Sequence, residues 1–446
     1  MRAHGQDVRG AGPPAQGRGA RMQRHLCPAG SAGRRRMSHE AVTANPLDAV
    51  SVVLPQGTSL AELFARTPAP PFAPDALSFM ESFSRRLLRD PAVRQYPELV
   101  ALGFWARAAS IKRLNTRFAE AYPEAVRLAR GLAFHVAPSN VDTIFVYSLL
   151  LSLLAGNVNV IRVSSRGGDQ ADALMRVLSG ALEETEDSVR ARIAIIRYAH
   201  DRTVTDALCA RCHIRVVWGG DATVSTIRQS PLAPAGTELV FPNKYSVSVF
   251  DAAAWLAADD KAAVAKDFVN DSLWFGQAAC SSPRAVIWRG DEEATNAASA
   301  SFWAEVRGAA LAANFPLEGA DAVAKLLAEQ TAAIEVGAEV VGGSADNHVR
   351  VIRPPLSRLG GAPLASAGFF EDYRIGGLAD LLPHIAENWQ TVTSFGIARE
   401  DWAGFLGQHQ PRGIARIVKP GHALNFDSLW DGVDLLAQMT RLVVIE

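Results

Sequence analysis

The sequence lacks the features that mark membrane, secreted or nucleic-acid-binding proteins. Its 446 residues include 45 basic and 46 acidic side chains, so no excess of one charge favours nucleic acid or an anionic membrane as partner. The four cysteines are too few and too unevenly spaced for a disulfide framework, which favours a reducing cytoplasm. The longest apolar run, residues 144–156, is too short for a membrane span and is predicted to be a buried helix.

Two common signals for bound groups are missing or misleading. No G-x-G-x-x-G or P-loop occurs, so a nucleotide would have to be held without the usual phosphate-binding fingerprint. The segment CARCH at 209–213 matches the pattern of covalent haem attachment, but it ends a predicted helix that leads into a strand. No second ligand pair for zinc accompanies it. We therefore interpret Cys209 and Cys212 as structural residues and predict no metal site.

The N-terminus has its own composition. The first 36 residues contain eight arginines and one aspartate among many Gly, Ala and Pro residues. Such a segment cannot bury enough apolar surface to offset its ordering entropy, and it has no apolar core of a secretory signal. Residues 1–44 are predicted to be a disordered or mis-called extension, with Met37 as the alternative start and no role for Cys27.

The rest of the chain alternates helices with strands. Residues 45–130 have helical periodicity. The segment GLAFHVAPSNVDTIFVYSLLLSLLAGNVNVIRVSS then predicts a βαβ unit, with Gly156 and Asn157 at the end of its helix. Strands at 192–198 and 214–220 again alternate with helices. This order implies a doubly wound parallel sheet, which binds ligands at the carboxyl ends of its strands.

A second α/β region is predicted after residue 241. A helix there leads into WFGQAACSSPR at 274–284, and the strand RAVIW follows. Residues 341–370 are predicted to form strands and long loops. The chain ends on TRLVVIE, a terminal strand that pairs either within the chain or with another subunit.

Cys280 invites two interpretations. A lone cysteine is usually a buried, inert thiol. Here the neighbours are small, and Ala278, Ala279, Ser281 and Ser282 leave room for a thioester carbonyl to approach a thiolate. The residues around the thiol therefore favour a nucleophile, but they do not decide the question.

Four segments, in this order, resemble the LuxC-type acyl-CoA reductases, a branch of the aldehyde dehydrogenase superfamily. They are HVAPSNVDTIFVYSLLLSLLAGNVNVIRVSS, FGQAACSSPR, WQTVTSFGI and KPGHALNFDSLWDGVDLL. The resemblance implies NADPH-dependent reduction of a fatty acyl thioester to an aldehyde, through an acyl group bound to cysteine and with coenzyme A as leaving group. It makes Cys280 the predicted nucleophile.

The same resemblance implies a donor for the oxyanion of the tetrahedral intermediate. In the superfamily an asparagine in a Pro-x-Asn turn supplies it, and Pro138 and Asn140 match that turn. We predict that Asn140 acts together with the backbone N–H of Cys280. The alternative is that Asn140 serves only to begin the helix.

The predicted cofactor is NADPH. Arg162 stands where the superfamily has a ribose-binding lysine, and Ser165 stands where an acid often selects NAD. Without that acid, Arg162 and Arg166 can bind a 2′-phosphate by charge-assisted hydrogen bonds. Gly219 and Gly220 match a loop that approaches the pyrophosphate, or form a simple turn. The cofactor-binding candidates are Pro138, Arg162, Ser164, Ser165, Arg166, Gly219 and Gly220.

The direction of the reaction depends on one further position. Hydrolytic aldehyde dehydrogenases place a glutamate shortly before a lysine to activate water, and aligning Lys244 with that lysine puts Val240 at the position of the glutamate. An acyl-enzyme without this base persists for reduction. Glu238 lies two residues away and would share the strand face of Val240, so a slip in register would restore the base.

The resemblance implies an aldehyde dehydrogenase-like α/β fold. We predict the N-terminal helical region and a Rossmann-like domain over 45–241, the catalytic cysteine domain over 242–430 and an oligomerisation strand over 431–446. An acyl-protein synthetase or transferase partner and a homo-oligomer are also implied. Glu371 is a weaker candidate for a ribose ligand.

Two rival functions stay open: an aldehyde dehydrogenase that forms acid with Glu238 as base, and a non-catalytic scaffold that binds an acyl carrier.

Overall fold

The computed structural model describes residues 45–138, 143–164, 168–315, 317–342 and 347–446. The predicted extension at 1–44, including Cys27, therefore lies outside the described residues, and so do Asn140, Ser165 and Arg166. Contacts group residues Pro46–Glu446 into one unit.

Strands and helices alternate over most of this unit. The strands are β1 Ser51–Leu54, β2 Ala125–Ala129, β3 Leu132–Val136, β4 Val158–Arg162, β5 Ile193–Arg197, β6 Ile214–Trp218, β7 Thr237–Phe241, β8 Tyr245–Asp251, β9 Pro283–Arg289, β10 Glu339–Val340, β11 Arg350–Arg353, β12 Phe369–Ile375, β13 Trp389–Phe395, β14 Arg416–Val418, β15 Leu429–Trp430, β16 Val433–Asp434 and β17 Thr440–Val444. The helices are α1 Leu60–Phe64, α2 Pro74–Arg89, α3 Pro97–Trp105, α4 Ala108–Glu120, α5 Thr143–Leu154, α6 Asp169–Glu183, α7 Asp187–Arg190, α8 Arg202–Arg211, α9 Asp221–Arg228, α10 Ala252–Leu256, α11 Lys261–Leu273, α12 Glu292–Ala313, α13 Gly319–Val336, α14 Arg399–His409 and α15 Leu435–Gln438.

The first large sheet is the doubly wound sheet that the sequence predicts. Its strand order among the described residues is β1-β5-β4-β3-β6-β7. The five strands from β5 to β7 are parallel, and β1 adds to the edge in the antiparallel sense. The chain runs outward from β3 through β4 to β5 and then returns to β6 and β7 on the other side. The switch point, where such sheets bind ligands, therefore lies between β3 and β6.

The second large sheet carries the Cys280 region. Its strand order is β10-β11-β12-β9-β8-β13-β14, with the pairs from β11 to β14 parallel and β10 antiparallel. Strands of the first sheet end at Phe241, and strands of the second begin at Tyr245. The domain boundaries themselves remain predictions, as does the oligomerisation role of residues 431–446.

The apolar run at 144–156 is a buried helix, as predicted. Each of the 12 residues of α5 is buried, because the helix packs between the first sheet and the helices before it. None of the helices in the described ranges combines the length and apolarity that a membrane crossing requires.

A buried asparagine closes the βαβ unit. Asn157 follows α5 and is fully buried. Its Oδ1 accepts a hydrogen bond from the backbone N–H of Gly131 (3.0 Å). Its Nδ2 donates to Ser152 Oγ (3.2 Å) and to the backbone carbonyl of Met439 (3.0 Å). The loop before β3, the end of α5 and the C-terminal segment therefore share one side chain.

The structure corrects the helical region predicted over residues 45–130 in two places. The region also contains β1, which pairs with β5, and β2, which pairs with the C-terminal strand β17 in the antiparallel sense. Both strands are short, and their partners are distant in sequence. Local periodicity carries no signal for such pairing. The C-terminal strand thus pairs within the chain, one of the two alternatives left open.

The turn after α5 provides a test of the fold. Gly156 has φ +87°, and an added Cβ would lie 2.1 Å from the backbone oxygen of Ala69. We expect Gly156→Ala to lower the free energy of unfolding by about 2 kcal/mol or more, measured by urea denaturation. Gly308→Ala is the control, because Gly308 lies within α12 and has no atom within 4 Å of an added Cβ. The control is expected to gain about 0.5–1 kcal/mol. Equal effects of the two substitutions would contradict the turn geometry.

Candidate active site

A cavity of 670 Å³ lies at the switch point of the first sheet. Pro138 follows β3 and lines it on one side, while Gly219 and Gly220 follow β6 and line it on the other. The second sheet contributes Cys280 and its two preceding alanines. The structure therefore brings four residues that the sequence singled out, Pro138, Gly219, Gly220 and Cys280, to one cavity.

The loop before Cys280 is held by a buried glutamine. Gln277 follows two other residues with positive φ, Phe275 and Gly276, so the chain reverses sharply after α11. Its Nε2 donates to the backbone oxygens of Pro283 (3.0 Å) and Phe369 (3.1 Å). Its Oε1 accepts from the backbone N–H of Gly368 (3.1 Å). All polar atoms of this amide are bonded to backbone, which fixes the loop against β9 and β12.

The sulfur of Cys280 lies in a partly buried and charged environment. The amide nitrogen of Gln390, on β13, donates to Sγ at 3.2 Å. The pKa of the Cys280 thiol is raised to about 11, chiefly by burial and also by the nearby carboxylate of Asp431, whereas Gln390 and Arg416 act to lower this pKa. The thiol is therefore protonated at neutral pH until other groups stabilise the thiolate.

The segment of the predicted oxyanion donor begins and continues with residues of the cavity wall. Asn140 lies outside the described residues, but Pro138, two residues earlier, lines the cavity beside Cys280. Ile144 in the first turn of α5 lines it too. Described residues on both sides of Asn140 thus line the cavity, and the role of Asn140 itself stays a prediction.

The predicted cofactor residues fall into two groups. Gly219 and Gly220 form a close backbone surface, since added Cβ atoms would lie 3.0 Å from Thr223 and 2.9 Å from Asn243 Oδ1. Neighbouring side chains therefore fill the space that a Cβ would need, and the approach of a pyrophosphate to these two cavity-lining glycines stays a prediction. Asp221 begins α9 there and accepts a hydrogen bond from the backbone N–H of Asn243 (3.1 Å).

Arg162 lies at the carboxyl end of β4, beside the end of β3. Its guanidinium carbon is 4.7 Å from the centre of the Tyr198 ring, and one of its terminal nitrogens is 3.3 Å from His200 Nδ1. Its buried Nε has no hydrogen-bond partner among the described residues. Arg162 is not among the residues that line the cavity, and its binding to a dinucleotide phosphate stays a prediction. Ser164 is described nearby, whereas Ser165 and Arg166 are not.

Glu238 does not reach the candidate nucleophile. On β7, Glu238 and Val240 face the side of the sheet covered by α8 and α9, whereas Leu239 and Phe241 face the core that Cys280 contacts. The Glu238 carboxylate pairs with Arg215 Nε (2.9 Å) and with Arg228 Nε (2.7 Å). The slip in register considered above would leave Glu238 on this face, so the structure provides no water-activating role for it.

The other residues that the sequence singled out, Cys209, Cys212 and Glu371, are buried in the protein away from the cavity lining. The Cys209 and Cys212 thiols are buried near the end of α8, and burial raises the pKa of each, that of Cys212 to about 12. The described residues contain no group of three or more His, Cys, Asp or Glu side chains placed to hold a metal. Glu371 is buried on β12, where it accepts hydrogen bonds from Arg358 Nε (2.9 Å) and Tyr373 OH (2.8 Å).

Sequence reasoning missed Gln390, whose amide contacts the thiol from β13, and Asp431, which lies between β15 and β16 and accepts from that amide. Gln390 lies in the segment WQTVTSFGI, and Asp431 lies in KPGHALNFDSLWDGVDLL. Asp431 accepts from the Gln390 amide and lies 3.8 Å from Lys244 Nζ. Both segments carry the LuxC resemblance, and that was the only available signal for these residues. Their spacing of 41 residues gives no hint of contact.

Comparison with known proteins bears on the family and the fold. The family described as acyl-CoA reductase (LuxC) matches residues 110–316, a range that includes Cys280. The LuxC resemblance is confirmed. The LuxC match includes the whole of the first sheet from β3 to β7 and the helix and loop that lead to Cys280.

Two curated relatives share this region. Over 166 residues the chain is 26% identical to a long-chain acyl-protein thioester reductase of Aliivibrio fischeri. Over 167 residues it is 25% identical to long-chain acyl-protein thioester reductase 2 of Photobacterium leiognathi. The matches cover 36% and 37% of this chain and 33% of each relative, so the chain matches about a third of their length.

Solved structures confirm the aldehyde dehydrogenase-like fold. Lactaldehyde dehydrogenase of Escherichia coli superposes with a TM-score of 0.61 at 14% identity, covering 86% of this chain and 88% of that chain. An NAD-dependent benzaldehyde dehydrogenase of Corynebacterium glutamicum gives a TM-score of 0.56 at 16% identity, covering 86% of each chain. At these identities the likeness shows the fold alone.

The environment of Cys280 predicts an unusual pH profile. Because burial raises the pKa of its thiol to about 11, we expect alkylation of Cys280 by iodoacetamide to rise about tenfold per pH unit from about pH 7 to pH 10. Peptide mass spectrometry distinguishes Cys280 from the two buried cysteines. A rate that levels off near pH 8 to 9, as for an unperturbed thiol, would contradict this environment.

Proposed function

We propose that the protein reduces an acyl thioester to an aldehyde with NADPH, through a thioester intermediate on Cys280. The supporting observation is the cavity at the switch point, where Cys280 faces the Gly219 and Gly220 backbone while Glu238 is held by arginines on the other side of the sheet. The names of the two curated relatives, both long-chain acyl-protein thioester reductases, support the same substrate class.

The first half of the reaction is acyl transfer to sulfur. The Cys280 thiolate attacks the thioester carbonyl, forming a carbon–sulfur bond and an oxyanion. Asn140 and the backbone N–H of Cys280 donate to that oxyanion, the prediction made from the Pro-x-Asn turn. The oxyanion then collapses and expels coenzyme A, or a protein thiol, as thiolate. The acyl group remains on Cys280.

The second half requires the cofactor. When bound, NADPH supplies a hydride to the thioester carbonyl, and free aldehyde leaves as the cysteine thiolate is restored. Gly219 and Gly220, which line the cavity, would accept the pyrophosphate, and the guanidinium of Arg162 would donate to the phosphate on the ribose. Ser165, standing where an acid often selects NAD, removes repulsion toward that phosphate.

The acyl-enzyme must resist water for the reduction to succeed. Glu238 is held in its ion pairs, and Val240 packs into the apolar cluster on the same side of the sheet. The carboxylate of Asp431 lines the cavity, but its two oxygens face Gln390 and Lys244. Because Glu238 and Asp431 are both bound to other side chains, neither is placed to activate water, and the site favours reduction of the acyl-enzyme over its hydrolysis.

The acyl chain has an apolar surface beside the thiol. Trp430 lines the cavity, and its ring lies 5.5 Å from Tyr147 and 6.4 Å from Phe426, measured between centroids. Burial of a fatty chain against such rings is favourable. We extend the proposal to the setting that the resemblance implies: a cytoplasmic homo-oligomer that receives acyl groups from coenzyme A or from an acyl-protein synthetase or transferase.

The nucleophile provides the first test. Cys280→Ala is expected to abolish NADPH oxidation with a fatty acyl-CoA, because no other described cysteine lines the cavity. The melting temperature should stay close to that of the wild type. Intact mass spectrometry after incubation with acyl-CoA should show an acyl adduct on the wild type and none on the variant. Undiminished turnover in the variant would end the proposal, and an unmodified wild type would favour a carrier-binding scaffold.

The second test separates the reductase from an acid-forming dehydrogenase. Glu238→Gln is expected to leave NADPH oxidation within about twofold of the wild type, because the side chain is remote from the cavity. It should lower the free energy of unfolding by about 1–3 kcal/mol, because it removes the charge that pairs with Arg215, whose side chain is 4% exposed. Aldehyde and NADP should give no free acid without coenzyme A. Acid formation that disappears in Glu238→Gln would instead support the dehydrogenase.

A further inference from the structure

The sulfur of Cys280 is contacted by an amide that the proposed reaction does not yet use. Gln390 is 2% exposed, and its Nε2 donates to Cys280 Sγ at 3.2 Å. The same nitrogen donates to Oδ1 of Asp431. One NH₂ group thus offers one hydrogen to the sulfur and the other to a carboxylate.

This arrangement fixes which end of the amide faces the thiol. An ionised carboxylate can only accept hydrogen bonds, so Asp431 selects the nitrogen of Gln390 rather than its oxygen. Burial raises the pKa of the Asp431 carboxyl, whereas the Gln390 amide and Lys244, whose Nζ lies 3.8 Å from the other oxygen of Asp431, act to lower that pKa and so favour the ionised carboxylate. With the amide reversed, an oxygen would face Sγ and would repel a thiolate.

The backbone also positions Gln390 beside Cys280. The pairing of β13 with β8 shifts register between Trp389 and Val392, so Gln390 lies in an irregular part of the strand. Such bulges often redirect a side chain next to an active site. Ser246 on β8 joins the two segments, since its Oγ donates to the carbonyl of Cys280 (2.8 Å) and accepts from the N–H of Thr391 (3.1 Å).

We propose that Gln390 donates the hydrogen bond that stabilises the Cys280 thiolate and that Asp431, anchored by Lys244, is the positioning residue that holds this donor toward the sulfur. The N–H bonds of Gln390 remain intact throughout. The proton of the thiol leaves to solvent, and the sulfur electron pair is then free to form the bond to the acyl carbon. The inference deepens the proposed function, on which it rests for the identity of the nucleophile.

The groups around the sulfur determine how strongly the loss of Gln390 should change the reactivity of the Cys280 thiol. Asp431 raises the pKa of the Cys280 thiol, and Gln390 and Arg416 lower it. Arg416 is held by its own contacts, since its Nε donates to Thr391 Oγ1 (2.9 Å) and its other nitrogens donate to backbone carbonyls. Lys244 faces Asp431 from the loop before β8, and the Tyr147 ring packs against Trp430 from α5. Gln390 is thus the neutral donor in direct contact with Sγ.

Removal of the donor is the first experiment. Gln390→Leu and the isosteric Gln390→Glu should each slow alkylation of Cys280 by iodoacetamide at about pH 9 by about tenfold, because a hydrogen bond to a charged group is lost. The matched control is Gln408→Leu, an exposed glutamine on α14, which should alkylate like the wild type. Melting temperatures verify folding. A wild-type rate in either folded Gln390 variant would overturn the proposal.

A double-mutant cycle tests the positioning role of Asp431. If Asp431 acts on the thiol only by its charge, Asp431→Asn speeds alkylation by the same factor with and without Gln390. If Asp431 also positions the amide, Asp431→Asn speeds alkylation in the Gln390→Leu background by removing the charge alone. In the wild-type background the same substitution also releases the Gln390 amide, so the increase in rate should be at least about threefold smaller. Equal factors in both backgrounds would overturn the positioning role.

These measurements stand apart from the proposed reaction. Alkylation needs neither acyl thioester nor NADPH, so it reports on the thiolate alone. A wild type that forms no acyl adduct would end the proposed function while leaving the alkylation result intact. An acyl adduct that forms at the wild-type rate in folded Gln390→Leu would overturn the inference while the proposed function stands.

Discussion

The site depends on one buried amide, that of Gln277, which binds three backbone groups from two segments, at Pro283 and at Gly368–Phe369. A cysteine loop between a helix and a strand has no regular hydrogen bonds of its own, so its backbone groups need partners from elsewhere. Gln277 supplies them from within the loop and ties it to β9 and β12. The reversed backbone at Phe275 and Gly276 is tolerated because these bonds hold it.

Strand alternation has a chemical consequence in the first sheet. Side chains on β7 point in turn to the core shared with Cys280 and to the layer of α8 and α9, so a carboxylate and a valine two residues apart share a face. The arginines on that face engage Glu238. A site built on the other face is therefore left without a base from this strand.

Much of the fold could be predicted from the sequence, because its signals are local. The βαβ unit follows from an apolar helix between two buried strands, and the Gly-Asn turn after α5 follows from the need for a left-handed residue. The placement of Pro138, Gly219 and Gly220 at one cavity follows from the rule for switch points. These inferences need only short stretches of chain.

The remainder could not be predicted, because it depends on contacts across long separations. The pairing of β2 with β17 joins residues more than 300 positions apart, and the sequence pattern of neither strand identifies the other as its partner. Gln390 meets Cys280 across 110 residues and through an irregular stretch of β13. Whether a polar side chain contacts a nucleophile or solvent is decided by such packing, which a local pattern does not contain.

Asn157 links these separations to the way the chain is made. Its amide donates to the carbonyl of Met439, which lies 282 residues further along the chain. During synthesis, the Met439 carbonyl therefore emerges from the ribosome long after α5 and the first sheet have been translated. Until then a buried amide hydrogen has only water to bind. The Rossmann-like half of the molecule thus completes its internal hydrogen bonds only after almost the entire chain has been synthesised.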